Sequence, residues 1–317
     1  MQGAVRPSTW GLVSTIKADA PDILDFAAWH LERGAHRLLL YLDAPCPDAL
    51  PHLKAHPRIR VIETDRAHWQ KRRGGMPQKH QVRQSLNATR AYRRQSADLD
   101  WLIHLDVDEF LWSEDDLAAT LATLPEQVLC ARARPLEALA DGSDGFKAPI
   151  PPGPEQDRIA AHLYPRFASY LRGGFVSHVQ GKLFVRTGQN DVDFRIHNAF
   201  VGGVENPGQQ ELPQVDLCHL HAATWTTWLA HYRYRLAKGS YRAELKPAQS
   251  REAGGVTLHQ LLSSLEAESG ESGLRSFFDE ICADSPDLRN RLTKEGLFRR
   301  RTLAKLQARQ RQFPKFG

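Results

Sequence analysis

The stretch DWLIHLDVDEFLW, residues 100–112, sets several carboxylates in or beside one of the most apolar runs of the chain. A carboxylate in apolar surroundings is costly unless a cation or hydrogen-bond donors pair with it. Asp106 and Asp108 follow WLIHL (101–105), which has the length and composition of a buried strand. The sequence therefore predicts that this strand ends at a site where the carboxylates find a counter-charge.

Upstream of this stretch, apolar strands alternate with amphipathic helices. Strands are predicted at 10–16, 37–43, 58–64 and 101–105, and helices at 21–34, 48–55, 78–94 and 114–124, the last with a capping box from Ser113 to Asp116. Strands that alternate with helices form parallel sheets through right-handed crossovers. We therefore expect an α/β fold, with a mostly parallel sheet flanked by helices.

The rest of the chain divides less clearly. The polar, basic segment 66–77 and the segment 141–158, rich in Gly, Pro and Asp, are predicted as loops, and strand-like pieces recur between 130 and 223. From Thr226 onward the pattern is mostly helical. We expect a first domain at 1–225 and a helical C-terminal region at 226–317.

Charge is spread unevenly over the 317 residues. The net charge is +5, but nine Lys or Arg residues and one acidic residue, Glu295, lie in 291–317, so that this tail carries +8. Such a tail could contact anionic lipid at the inner face of a membrane or nucleic acid, or be a solvated helix; nucleic acid is the less favoured partner.

Other compositional features narrow the class of protein. No apolar run reaches the ~20 residues that span a bilayer, and the N-terminus lacks an apolar signal core, which favours a cytoplasmic location. The four cysteines lack CxxC spacing, which argues against a zinc knuckle and a disulfide framework.

The acidic pair after the fourth strand suits a metal. Ligands of open parallel sheets gather at the carboxyl ends of the strands, and carboxylates at i and i+2 of an extended chain point to one side. Asp106 and Asp108 would thus offer oxygen ligands to Mg²⁺ or Mn²⁺, which keeps other positions for water and phosphate. The plainer interpretation is a solvated turn in which Glu109 only supports the start of the next element.

The segment WLIHLDVDEFLW resembles the DxD segment of glycosyltransferase family 2-like proteins, in the branch that reads D-x-D-E-F. ILDFAAWHLERGAHRLLLYLD (23–43) resembles that branch's first helix and second strand. The resemblance covers about residues 10–112. It implies a GT-A fold, a nucleotide-diphosphate sugar donor and a divalent metal, with residues 1–225 as the donor-binding and catalytic domain.

The same resemblance implies roles for single residues. Asp106 would contact the donor ribose or the metal, Asp108 the metal, and Asp43 the nucleoside. Two departures affect nucleobase recognition: Ala18-Asp19 stands where relatives commonly have Asn-Glu, and APCPD (44–48) replaces the usual turn after Asp43.

Further residues complete the predicted site. In VDLCHLHAA (215–223), His219 and His221 would share one face of a strand, and the family places a late histidine near the metal; His221 is the first choice as ligand and His219 the second. GKLFVR (181–186) resembles a family strand in which Lys182 and Arg186 would meet phosphate or acceptor. Their alternative role is an exposed strand face.

An inverting transfer, the expected outcome for family 2, needs a carboxylate base that deprotonates the acceptor hydroxyl. The candidates are Glu137, Asp141, Asp144 and Asp193. The sequence does not choose among them, and a retaining mechanism would need no such base.

Three hypotheses follow. The leading one is a metal-dependent glycosyltransferase that moves a sugar to a hydroxyl of a saccharide or lipid-linked saccharide, as in surface polysaccharide synthesis. The second is a non-catalytic, degenerate transferase fold that binds lipid or nucleic acid through the 291–317 tail. The third, a metal-dependent phosphohydrolase or nucleotidyltransferase, lacks a P-loop and a second carboxylate cluster in this sequence.

Overall fold

A computed structural model describes residues 6–142, 144–238 and 256–316. The predicted regions 226–317 and 291–317 therefore extend in part beyond the described residues. The strands are β1 (Trp10–Ile16), β2 (Arg37–Leu42), β3 (Ile59–Glu63), β4 (Trp101–His104), β5 (Glu109–Trp112), β6 (Cys130–Ala138), β7 (Gly145–Lys147), β8 (Lys182–Arg186), β9 (Val192–Phe194), β10 (Ala199–Val201), β11 (Val204–Glu205), β12 (Gln209–His219) and β13 (Phe298–Arg300).

The helices account for most of the remaining regular structure. They are α1 (Ala20–Glu32), α2 (Leu50–Ala55), α3 (Arg66–Arg73), α4 (His80–Gln95), α5 (Leu117–Ala122), α6 (Gln156–Leu163), α7 (Trp225–Lys238), α8 (Leu258–Ile281), α9 (Pro286–Lys294) and α10 (Lys305–Gln312).

The chain divides into two compact units. The first unit comprises Met1–Arg134, Gln180–Leu217 and Ala304–Gly317, and the second comprises Pro135–Val179 and Cys218–Leu303. The domain boundary expected at 225/226 falls inside the second unit. The first unit contains the α/β fold that the sequence predicts.

The sheet of the first unit has a parallel half, in the order β3-β2-β1-β4. Central β1 pairs in parallel with β2 and with β4, where Val13 stands opposite Leu39 and His104. All seven residues of β1 are buried, as expected for a strand covered on both faces. The predicted α/β fold, with its sheet flanked by helices, is therefore confirmed.

The sheet continues with an antiparallel half that the sequence did not predict. Strand β8 pairs with β4, and β6 pairs with β8, both antiparallel. The sheet is therefore mixed, and this half brings β8, more than 75 residues further along the chain, beside β4.

Two local predictions were wrong. The predicted loop 66–77 contains helix α3, because the Asp65 side chain accepts a hydrogen bond from the His68 N–H, and Gly74 ends the helix in the left-handed region, at φ 72°. The helix predicted at 114–124 starts later, at Leu117, because Asp116 rather than Ser113 caps it through the Ala119 N–H.

The second unit has its own hydrophobic core. Strand β7 pairs with β6 and with β13, so the predicted loop 141–158 contains a strand. Trp228 of α7 stacks on Phe277 of α8, and neither ring is exposed. Helices α7, α8 and α9 bear out the helical pattern expected after Thr226, although β13 interrupts it.

The basic C-terminal segment is part of the fold wherever the structure describes it. In the first unit, Arg309 lies 3.1 Å from Asp25, and Arg311 lies 3.0 Å from Glu32, both acids of α1. In the second unit, Arg300 pairs with Asp144 at 3.2 Å. Across the described residues, no helix has the length and apolar character needed to cross a membrane.

Candidate functional site

The carboxyl ends of the parallel strands carry the polar residues of interest. Asp43 follows β2, Thr64 follows β3, and Asp106 follows β4 two residues after its last residue. Because the strands are parallel, these ends lie at one edge of the sheet, where α/β proteins bind ligands. The fold thus places Asp43 and Asp106 at the expected edge.

Asp106 is held by two side chains. Its Oδ2 accepts a hydrogen bond from the Lys182 ammonium at 2.7 Å, and its Oδ1 accepts one from the Gln84 amide. Burial alone would raise the pKa of Asp106, but the charge and hydrogen bond of Lys182, together with the nearby His104 and His197, outweigh burial and hold the pKa far below its ordinary value. Asp106 is therefore a permanent anion at neutral pH.

Lys182 also pairs with Glu109. Its ammonium lies 3.1 Å from Glu109 Oε2, and neither of these two side chains is exposed, whereas Asp106 is 30% exposed. Burial would lower the pKa of Lys182, but the two carboxylates outweigh it and raise the pKa. Lys182 thus lies at the edge of the sheet formed by the strand ends. Its side chain is buried and paired with carboxylates, so it is not on an exposed strand face and does not face a phosphate in solvent.

The residues after β4 form a turn rather than the extended chain that the sequence predicted. Val107 and Asp108 are in the turn, and Asp108 is half-buried. Glu109 Oε2 accepts the Asp106 N–H at 2.8 Å, and the Glu109 N–H donates back to the Asp106 carbonyl at 3.1 Å. This reciprocal pair confirms that Glu109 supports the turn that presents Asp108.

Helix α1 anchors the strand that follows. The Trp29 Nε1–H donates to the Leu111 carbonyl at 2.8 Å, and His30 Nε2 accepts the Leu111 N–H at 3.3 Å. His30 Nδ1–H donates to the Phe26 carbonyl, and burial lowers the pKa of His30 to about 4. The neutral imidazole therefore fixes β5 immediately after the acidic turn.

Asp43 is enclosed by Arg83 and His80. Its carboxylate accepts hydrogen bonds from Arg83, the shortest at 2.6 Å, and from His80 at 3.0 Å, and only 1% of its side chain is exposed. Burial would raise the pKa of Asp43, but the hydrogen bonds from His80 and Arg83 outweigh it and lower the pKa. Asp43 lies where the sequence predicts, but its oxygens are already bound by protein groups.

Sequence reasoning missed the contribution of α4. This helix presents His80, Arg83, Gln84 and Asn87 toward the strand ends, and Asn87 donates to Thr15 Oγ1 of β1 at 3.0 Å. Their spacing of three and four residues places them on one face of the helix. Apolar periodicity does not reveal this face, because its buried residues, Gln84 and Asn87, at most 5% exposed, are polar.

Arg186 is not brought to this site. It stands opposite Trp101, at the amino end of β4, and its guanidinium lies 4.3 Å from the Trp101 ring centroid. It donates to the main-chain carbonyls of Leu124, Pro125 and Val128. A β-strand of four residues separates it from Asp106, so it has a packing role here.

The base candidates lie in both units. In the first unit, Asp193 is 45% exposed on its side chain and pairs with Arg195 at 2.9 Å. In the second unit, Asp141 is exposed in the left-handed region at φ 59°, and Asp144 is partly buried beside Arg300.

Glu137, the fourth base candidate, belongs to the second unit and is buried. It pairs with Lys147 at 3.0 Å and accepts the Ser177 N–H at 2.8 Å. Burial would raise its pKa, but the Lys147 charge and the hydrogen bonds from Lys147 and Ser177 together outweigh burial and lower the pKa. A carboxylate held in this way is a poor base.

The predicted late histidines form a cluster in the second unit. The His219 and His221 ring centroids are 5.1 Å apart, and His178, which the sequence did not indicate, lies 5.5 Å from His219. His219 ends β12 and His221 follows it in a turn, so the two are not on one face of a strand. His219 and His221 are both buried.

Comparison with known proteins gives weak structural similarity and no sequence match. No protein-family model matches the chain, and no curated protein matches its sequence. Among solved structures it is similar to a galactosyltransferase, LgtC, solved with donor and acceptor sugar analogs, with 16% identity over 56% of this chain and a TM-score of 0.26. The chain matches 57% of the length of that protein. A similarity this weak supports no functional conclusion.

Proposed function

We propose that this protein is a metal-dependent glycosyltransferase that moves a sugar from a nucleotide diphosphate to a hydroxyl acceptor. The observation that carries the proposal is the Asp106–Glu109 turn at the carboxyl end of β4, held by Lys182 in a chain whose LDVDEF segment resembles the family 2-like DxD motif. A saccharide or lipid-linked saccharide acceptor belongs to the same proposal.

The donor set at this turn suits a hard divalent cation, Mn²⁺ or Mg²⁺. Asp108 offers carboxylate oxygens in a half-buried turn, and such ions prefer oxygen ligands. Asp106 is already hydrogen-bonded by Lys182 and Gln84, so we assign it to orienting the turn and the donor rather than to the main metal bond. His221, with His219 as the alternative, remains a proposed ligand from the sequence.

In the proposed reaction, the bond from the sugar C1 to the diphosphate breaks and C1 bonds to the acceptor oxygen. A bound divalent cation would neutralise the departing diphosphate. In an inverting reaction the acceptor proton goes to a carboxylate, and Asp141, Asp144 and Asp193 remain the candidates because Glu137 is held by Lys147. Asp43 is assigned to shaping the nucleoside pocket through Arg83.

The first experiment is a thermal-shift screen of common nucleoside diphosphates with and without Mn²⁺. We expect at least one nucleotide to raise Tm only with the metal, and Asp108→Ala to abolish the rise. Asp115→Ala is the matched control, because Asp115 is an exposed acid a few residues further along the chain. Absence of a metal-dependent rise with every nucleotide would contradict the proposal.

The second experiment measures transfer. Nucleotide sugars whose diphosphates stabilise the protein are tested for metal-dependent donor hydrolysis or transfer. Asp108→Ala should abolish turnover while Asp115→Ala retains it. The base is then identified from three single variants, Asp141→Asn, Asp144→Asn and Asp193→Asn. The variant that lacks the base should lose turnover with little change in donor binding.

A further inference from the structure

A groove between α3 and α4 concentrates positive charge in the first unit. Two cavities, of about 400 and 420 Å³, share the lining residues Arg73, Leu86 and Arg90 and so form one continuous groove. The basic side chains that line it are Lys71, Arg72, Arg73, Arg90, Arg93 and Arg94. The sequence indicated a basic segment at 66–77, but it did not indicate that this segment lies beside the basic face of α4.

The arrangement follows from helix geometry. On α4, Leu86, Arg90 and Arg93 recur at intervals of four and three residues, so they share one face of the helix. On α3, only Trp69 is buried, which leaves the three cations of its last turn exposed. The C-terminus of a helix tolerates such cations well.

Most of these cations have no acidic partner in the part of the chain that the structure describes. Arg93 lies 3.8 Å from Asp191, and Asp193, the acid of the lining, is paired with Arg195. Among the described residues, no carboxylate pairs with Lys71, Arg72, Arg73, Arg90 or Arg94. Like charges gathered this closely repel each other, so an anion bound there would relieve the repulsion.

One residue that lines the groove has a buried donor without a hydrogen-bond partner among the described residues. Trp69 lines the first cavity and is 2% exposed, yet its Nε1–H has no hydrogen-bond partner among the described residues. The neighbouring His68 Nε2 likewise has none. Burial, with the charges of Arg72 and Arg90, lowers the pKa of His68, which places both guanidinium groups near this ring. A buried donor left unpaired costs free energy that an acceptor oxygen of a ligand would recover.

We propose that this groove binds a ligand that carries two or more phosphate groups. Guanidinium groups bind phosphate oxygens through paired, charge-assisted hydrogen bonds, and several of them along one groove suit several phosphates better than one. If the proposed function holds, this ligand is a phosphate-bearing acceptor; that identification rests on the proposed function, whereas the binding itself does not.

The test uses inorganic tripolyphosphate as the probe, with the full chain in an isothermal titration. We expect Arg72→Gln/Arg90→Gln to weaken binding by about tenfold or more, because two charge-assisted contacts are lost. Lys294→Gln/Lys315→Gln is the control: it removes two exposed cations of the basic tail and should change affinity by less than about twofold.

A third variant tests the indole donor. Trp69→Phe keeps an aromatic ring but removes the Nε1–H, and should weaken binding by about threefold. Circular dichroism establishes that each variant is folded. Should Trp69→Phe unfold, the arginine variant still decides the matter, since Arg72 is exposed and Arg90 is only half-buried.

Several results would overturn the inference. The first is that the unaltered protein does not bind tripolyphosphate. The second is that the arginine variant and the tail variant lose affinity for tripolyphosphate equally. The third is that the protein binds citrate or a mixed-sequence oligonucleotide more tightly than tripolyphosphate. Loss of nucleotide-plus-Mn²⁺ stabilisation in Arg72→Gln/Arg90→Gln would also overturn it, because the groove would then belong to the donor site. That last readout separates failure of this inference from failure of the proposed function.

Vesicles identify the source of the phosphate. Binding to phosphatidic acid vesicles but not to phosphatidylcholine vesicles, abolished by Arg72→Gln/Arg90→Gln and by competing tripolyphosphate, would support a lipid-linked phosphate. Binding of tripolyphosphate without vesicle binding would support a soluble phosphate ligand. Both results are consistent with the proposed chemistry of the groove.

Discussion

Replacing Lys182 by methionine tests how the acidic turn is held. Methionine fills a similar volume but carries no charge and no donor. The ammonium lies 2.7 Å from Asp106 and 3.1 Å from Glu109, and the Lys182 and Glu109 side chains are fully buried. Lys182→Met therefore leaves one carboxylate entirely inside the protein without its cation.

The expected cost can be estimated from this burial. Removing one partner of a buried ion pair costs about 3–5 kcal/mol, because the remaining charge is desolvated and unbalanced. Asp106 is 30% exposed and can be hydrated, so most of the loss arises at Glu109. We expect the free energy of unfolding to fall by about 3–5 kcal/mol at neutral pH, a large part of the ~5–15 kcal/mol of an ordinary domain.

Urea unfolding measures the change, with a surface pair as the matched control. Lys54 lies 2.9 Å from Glu63, but both side chains are more than half exposed, so Lys54→Met should cost less than about 1 kcal/mol. Glu109→Gln added to Lys182→Met should recover at least ~1 kcal/mol, because the buried charge is removed while an amide oxygen can still accept the Asp106 N–H.

Two results would refute this reasoning. One is a cost for Lys182→Met no larger than that for Lys54→Met, which would mean that the buried charges are balanced in some other way. The other is a double variant that is no more stable than Lys182→Met alone, which would mean that the loss comes from packing and not from the buried charge of Glu109.

Three further predictions concern stability. Burial lowers the pKa of His30 to about 4, so that on acidification His30 is protonated in the unfolded chain before it is protonated in the folded protein. As the pH falls from about 6.5 to about 4, the free energy of unfolding should therefore fall by up to about 3 kcal/mol. His30→Gln should make the fall in Tm over this range shallower. Gly181→Ala should cost more than about 2 kcal/mol in urea unfolding, since Gly181 has φ 74° and a Cβ would overlap the Ala133 carbonyl oxygen. Treatment with EDTA should leave the Tm of the ligand-free protein unchanged, and a marked fall would show that a metal stabilises the fold.

The parallel half of the sheet was predictable because its signals are local. Continuous apolar runs such as 10–16 and 37–42 allow only strands buried on both faces, and the helices between them fix the crossovers. The positions of Asp43 and Asp106 then follow, since each comes directly after such a run. No knowledge of distant parts of the chain is needed for these inferences.

The partners of these carboxylates were not predictable in the same way. Lys182 reaches Asp106 from 76 positions along the chain, through an antiparallel strand whose pairing the local pattern does not specify. Arg83 reaches Asp43 from 40 positions away. Sequence periodicity shows that a helix face is polar but not which acid it meets, so the roles expected for Lys182 and Arg186 could not be separated.

The ion pairs at the strand ends bear on the role that a bound metal would have. From the sequence alone, a cation appeared necessary to offset the burial of Asp106 and Asp108. In the structure, Lys182 pairs with Asp106 at 2.7 Å, although it shares its charge with Glu109, and Arg83 pairs with Asp43 at 2.6 Å. Protein groups alone therefore hold Asp106 and Asp43 as anions. A metal bound at Asp108 would then act on the ligand rather than on the fold, so metal dependence should appear in nucleotide binding and turnover and not in the stability of the ligand-free protein.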